Sequence, residues 1–116
     1  MDFSLLKKTA FVCGSTQGIG KAIATALASQ GATVIGTATS DNGAAAISAY
    51  LEAFGGRGLA LNVTDKASVD EAIKAISSAD GGIDILINNA GFGFSGLFLE
   101  SSIENYEGMM NVNIYS

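Results

Sequence analysis

The chain has 116 residues, is 48% hydrophobic and 15% charged, and carries a formal net charge of −5. That length suits one domain burying about 65% of its unfolded surface, and the high apolar content with low charge excludes disorder. The six basic residues, Lys7, Lys8, Lys21, Arg57, Lys66 and Lys74, form no stripe that would neutralise phosphates, which argues against nucleic acid as a partner. The single cysteine, Cys13, allows no intramolecular disulfide. With no His and no grouped carboxylates, no metal site is expected. Residues 1–10 show no long apolar run after their charges, so they do not read as a signal peptide. No apolar stretch reaches the roughly 20 residues of a membrane helix, and a cytoplasmic protein is the expectation.

Short β-branched runs alternate with helical periods along the chain. Residues 9–13 read as a first strand ending at Gly14. Ile19, Ala22, Ile23, Ala26 and Leu27 recur at helical spacing before a stop at Gly31. Residues 33–36 form a second strand. Ser40 or Asp41 caps a helix whose apolar face includes Ala44, Ile47, Leu51 and Phe54, and Gly55 and Gly56 end it. Residues 58–63 form a third strand. Thr64 or Asp65 caps a helix carrying Val69, Ala72, Ile73 and Ile76, closed by Gly81 and Gly82. Residues 83–88 form a fourth strand, apolar throughout 85–87 as a buried parallel strand requires. After a glycine-rich loop, Ser101 and Glu104 make a capping box for a last helix with Ile103, Tyr106, Met110 and Ile114. Such alternation predicts an α/β fold with a parallel sheet and right-handed crossovers.

Gly14-Ser15-Thr16-Gln17-Gly18-Ile19-Gly20 lies between the first strand and first helix. Gly14 allows the sharp turn, Gly18 lets backbone approach a pyrophosphate, and Gly20 lets the helix pack close to the sheet. N–H groups at the helix start then face the anion. The same glycines would also serve a plain βα turn, but the position after the first strand favours phosphate. Cys13 reads as a small buried residue at a strand end rather than a reactive thiol.

The G-x-x-x-G-x-G spacing resembles that of the short-chain dehydrogenase/reductase family. Asn88-Asn89-Ala90-Gly91 resembles that family's sheet-stabilising signature, which lines the cofactor floor. Asn62-Val63 matches the pair that holds adenine, although Asn62 alone would also start a turn. Asn113 matches the helix asparagine of the family's catalytic tetrad, which orders a proton-relay water; alone it would be a polar helix position. The resemblance implies a three-layer Rossmann-type doubly wound parallel sheet, truncated after the fourth strand and the following helix. It assigns the cofactor to Gly14, Ser15, Thr16, Gln17, Gly18, Ile19, Gly20, Thr37, Thr39, Asn62, Val63, Asn89, Ala90 and Gly91. The segments 34–40 and 61–65 look most like bacterial 3-oxoacyl-acyl-carrier-protein reductases. The loop 92–98 is more apolar than theirs.

Members specific for NAD usually place an acid at the end of the second strand, and here no acid occurs before Asp41. Hydroxyls of Thr37, Thr39 and Ser40 would suit a 2′-phosphate, whereas the neutral Gln17 stands where many NADP-specific members carry Arg. The balance favours NADP over NAD. The family's Ser, Tyr and Lys have no counterpart within residues 1–116: Tyr50 and Tyr106 are followed four positions on by Phe54 and Met110. The expectation is a nicotinamide dinucleotide-binding half, inactive alone. With the fourth strand at the sheet edge, it would self-associate or pair with a complementary fragment. The alternative is a non-enzymatic nucleotide-binding or assembly module of designed, chimeric or fragment origin. A flavodoxin-like FMN domain would leave residues 88–91 and Asn113 unexplained.

Overall fold

A computed structural model describes residues 5–14, 18–62, 65–89 and 109–113. Its elements run β1 (Thr9–Cys13), α1 (Gly18–Ser29), β2 (Thr33–Ala38), α2 (Asp41–Leu51), a 3₁₀ turn (Glu52–Phe54), β3 (Arg57–Ala60), α3 (Lys66–Asp80), β4 (Ile85–Asn88) and β5 (Met110–Asn113). The strands form one sheet in the order β3-β2-β1-β4-β5, and every neighbouring pair is parallel. The α/β parallel sheet expected from the alternation, and the doubly wound arrangement implied by the resemblance, are therefore present.

Strand alternation sorts the core into two layers. Ala10, Val12, Val34, Ile85 and Ile87 pack with Ala24 and Ala28 of α1 and with Ile47 and Leu51 of α2. Phe11, Cys13, Ile35 and Leu86 point the other way, onto Val69, Ala72, Ile73 and Ile76 of α3. The chain builds outward from β1 through β2 to β3 with α1 and α2 on one face. It then crosses to the opposite side of β1 with α3 on the other face. Strand order thus reverses between β1 and β4.

Local chemistry fixes the helix starts. Ser40 caps α2, its Oγ accepting from the Gly43 N–H at 3.1 Å. Asp65 caps α3, with Oδ1 accepting from the Ala67 N–H at 3.0 Å and its carbonyl from the Val69 N–H. Lys21 of α1 lies over the Tyr50 ring of α2, 5.1 Å from its centroid. At the amino edge of the sheet, Asp84 joins three strands. Its Oδ2 accepts from the Thr9 N–H at 2.9 Å, its own N–H donates to the Thr9 carbonyl, and its carbonyl accepts from the Met110 N–H at 2.8 Å. Among the described residues no helix is long and apolar enough to cross a membrane.

Five expectations are corrected. The buried face of α1 is Gly20, Ala24 and Ala28; Ile23 and Leu27 flank it, whereas Ile19, Ala22 and Ala26 are exposed, because close approach to the sheet selects small side chains. Phe54 is exposed, since α2 gives way after Leu51 to a 3₁₀ turn that changes the angular phase. β3 ends at Ala60 rather than at residue 63: its last partner is Ala38, and after the Leu61 N–H bonds the Ala38 carbonyl the chain turns, with the Asp65 N–H on the Asn62 carbonyl. β4 begins at Ile85 rather than 83, although Ile83 is fully buried. Finally, Met110 and Asn113 lie on a strand, not a helix. The open flank of β4 offers a ladder that this short segment, alternating in period two, satisfies through Ile85↔Met110 to Asn88↔Asn113. The fourth strand is therefore interior and the sheet does not stop with it. Residues 101–108, including the capping box, and Ile114 lie outside the described residues.

Candidate functional site at the carboxyl edge of the sheet

In a parallel sheet all carboxyl ends share one edge. Gly14, Thr39, Asn62, Asn89 and Asn113 therefore stand in a row across β1, β2, β3, β4 and β5 at that edge. In open α/β sheets the ligand crevice lies outside these ends, where strand order reverses. Here the reversal falls between β1 and β4, whose last paired residues are Cys13 and Asn88.

The next residue on each strand locks the junction. Asn89 donates its backbone N–H to the Cys13 carbonyl at 3.2 Å, and its Nδ2 donates to the Gly14 carbonyl at 3.2 Å. The Gly14 N–H donates to Thr37 Oγ1 of β2 at 3.1 Å. Gly14 has φ +76°, a left-handed conformation that favours glycine. Its carbonyl lies where a side chain on residue 20 would begin: a Cβ on Gly20 would fall 1.9 Å from that oxygen. The first turn of α1 thus rests directly on the end of β1. Gly18, at the start of α1, faces open space, with nothing within 4 Å of where its Cβ would stand. That leaves room for a ligand against helix-terminal N–H groups, which lack intrahelical acceptors.

Gly14, Gly20, Thr37 and Asn89 are brought together. Gly18 and Ile19 open the adjoining helix, with Ile19 53% exposed. Thr39 and Asn62 are exposed at the ends of β2 and β3. Asn113 reaches the same edge beside Asn88. Ser15, Thr16, Gln17, Val63, Ala90 and Gly91 lie outside the described residues. Thr37, expected among the cofactor-binding hydroxyls, is 2% exposed, and its Oγ1 accepts the Gly14 N–H. The signal for this was available, since a hydroxyl at the end of a buried strand must find a partner. Cys13 is fully buried, as its reading anticipated. Burial pushes its thiol well above the ordinary cysteine value, and the hydrogen bond with Thr37 opposes that only in part.

With this geometry in place the comparison with known proteins is direct. Residues 8–116 match the family model described as short chain dehydrogenase. The chain belongs to the short-chain dehydrogenase family. Among its curated relatives, it is 50% identical over 107 residues to 3-oxoacyl-[acyl-carrier-protein] reductase of Vibrio harveyi, covering 92% of this chain and 43% of that protein. It is 51% identical over 109 residues to the Haemophilus influenzae reductase of that name, covering 94% and 45%. The Aquifex aeolicus reductase is 40% identical over 117 residues, covering 98% and 47%. The chain spans less than half the length of these relatives.

Two outcomes test this junction. Gly20→Ala is expected to destabilise the chain by about 2 kcal/mol in urea unfolding through the clash. Helix propensity alone would make it stabilising by about 1 kcal/mol, so a raised midpoint would remove the contact as described. The Cys13 thiol should resist a disulfide reagent at pH 8 in the native chain and react once urea unfolds it. Above about pH 8.5 the unfolded thiol ionises while the native one stays protonated. The unfolded state then binds fewer protons, and stability falls with rising pH at a slope approaching about 1.4 kcal/mol per unit. Cys13→Ala should abolish that component, as read from urea midpoints between pH 7.5 and 9.5.

Proposed function

We propose that this chain is the cofactor-binding part of an NADP-dependent carbonyl/alcohol oxidoreductase resembling the 3-oxoacyl reductases. The observation that carries the reading is the glycine turn closed onto Asn89 where strand order reverses. The residues fit a dinucleotide, because Gly14 turns the chain at a positive φ, Gly20 admits no Cβ against the Gly14 carbonyl, and Gly18 borders open space. Four inter-strand steps of about 4.8 Å give a row about 19 Å long, enough for an extended dinucleotide. Asn62, Val63 and Thr39 take the adenosine end. Gly14, Ser15, Thr16, Gln17, Gly18, Ile19 and Gly20 take the pyrophosphate. Asn89, Ala90 and Gly91 floor the nicotinamide end, with Asn113 beside them as the residue proposed to order a proton-relay water. When bound, the dinucleotide supplies hydride exchange with a carbonyl or alcohol. Neither Tyr50 nor Tyr106 has a Lys four positions on, so we assign binding rather than proton transfer to this stretch. A cytoplasmic setting belongs to the same reading and agrees with a buried, unpaired Cys13.

Two measurements check this. Titration of the purified chain followed by nicotinamide fluorescence should give saturable binding, tighter for NADPH than for NADH. Absence of saturable binding by both would sink the dinucleotide reading, and tighter NADH would reverse the cofactor preference. Self-association loses its premise at β4 and passes to the outer edge of β5, which pairs with β4 on one side and with no other described strand. Sedimentation velocity should show a mass that rises with concentration; a monomer at all concentrations would eliminate this proposal.

A further inference from the structure

We propose that Thr37 is a positioning residue for the pyrophosphate-binding turn and makes no contact with the cofactor. This rests on the dinucleotide reading above and changes what the end of β2 does within it. A threonine hydroxyl has one hydrogen to give and two lone pairs to receive. Thr37 Oγ1 receives the Gly14 N–H at 3.1 Å, and the hydroxyl is also hydrogen-bonded to the Cys13 thiol. Oγ1 is thereby turned toward the end of β1, with the Gly14 N–H and the Cys13 thiol as its partners. The side chain is also 2% exposed. Its burial follows from register: Val12 pairs with Gly36, which sets Thr37 beside the end of β1, on the α3 face with Ile35.

What Thr37 controls is the peptide of Gly14. Its N–H is held from β2 by Thr37, and its carbonyl is held from β4 by Asn89 Nδ2 at 3.2 Å. The two side chains pin the glycine from opposite sides at φ +76°, the angle at which the chain leaves the sheet toward residues 15–17 and α1. Loss of the hydroxyl leaves a part-buried N–H without its acceptor and loosens the glycine from β2. A defect of this kind weakens any ligand that uses the turn, whether or not it carries a 2′-phosphate.

The test compares Thr37→Val and Thr37→Ser with the unchanged chain, titrating each with NADPH and NADH. Thr37→Val should weaken both nucleotides by the same factor, about tenfold, on the scale of an unsatisfied buried donor. Thr37→Ser, which keeps the hydroxyl and drops the methyl, should return both to within about twofold. A loss confined to NADPH would mean direct phosphate contact and overturn the proposal, as would unchanged binding of both or failure of Ser to rescue. Amide hydrogen exchange at Gly14 supplies a readout free of nucleotide. Protection should be lost in Thr37→Val and kept in Thr37→Ser, and equal protection in all three chains would overturn the proposal. If the unchanged chain binds neither nucleotide, the dinucleotide reading fails alone, and exchange at Gly14 still decides the role of Thr37.

Discussion

The arrangement depends on one steric fact: the carbonyl oxygen of Gly14 occupies the space that a side chain on residue 20 would need. The first turn of α1 therefore lies on the end of β1. Below it the helix continues with Ala24 and Ala28, both buried, so the small face at Gly20 extends over two further turns and the helix stays close to β1 and β2. The same carbonyl accepts the Asn89 amide. One peptide group thus sets the helix approach, the turn direction and the bridge to β4. No larger residue at position 20 serves all three.

The bonds at the two ends of the sheet join the same pair of strands. At the amino edge Asp84 holds Thr9, and at the carboxyl edge Asn89 holds Gly14; each side-chain bond spans 75 residues of sequence. β1 and β4 meet only after two further strands and three helices have been traversed, so the site forms late in any ordering of contacts that starts from neighbours. Loop-closure entropy for such pairs is offset by the apolar ladder Ala10↔Ile85, Phe11↔Leu86 and Val12↔Ile87 between the clamps. Site and core therefore share their most non-local contacts, and weakening the ladder weakens the cradle above it.

Much of this was legible in the residues. The bounds of β1 follow from its run of buried positions, and the α2 and α3 caps fall among the residues whose side chains accept from helix-start N–H groups. The glycine spacing placed the turn. The misreadings share a cause, in that periodicity counts hydrophobic residues and does not know what lies opposite. Ile19, Ala22 and Ala26 have the spacing of a buried helix face, but the sheet beneath α1 admits the Gly20, Ala24 and Ala28 side instead. Met110-Asn111-Val112-Asn113 fits a helical stripe through Met110 and a strand by alternation. Only the open flank of β4, a tertiary feature, decides between them. The hydroxyl of Thr37 was read as suited to a phosphate, and the register that sets it beside the end of β1 comes from β1–β2 pairing.

That burial changes the physical basis of the proposed NADP preference. With Thr37 turned inward and Ala38 7% exposed, the first exposed side chains after β2 are Thr39 and Ser40, and Ser40 already caps α2 through its Oγ. The nearest acid, Asp41, sits in the first turn of α2, where the helix dipole attracts its charge, rather than at the strand end where it would bond ribose hydroxyls. Among the described residues, neither a strong cation for the 2′-phosphate nor an acid to repel it stands at this end of β2. In the proposed site, discrimination comes from the missing repulsion, with one exposed hydroxyl and the start of α2 as weak attractors. On the proposed reading, the margin for NADP is smaller than with Arg at position 17, because a charge-assisted bond is about twice as strong as a neutral one. On the same reading, the turn held by Thr37 and Asn89 sets how tightly either dinucleotide binds, and the residues after Ala38 set the difference between them.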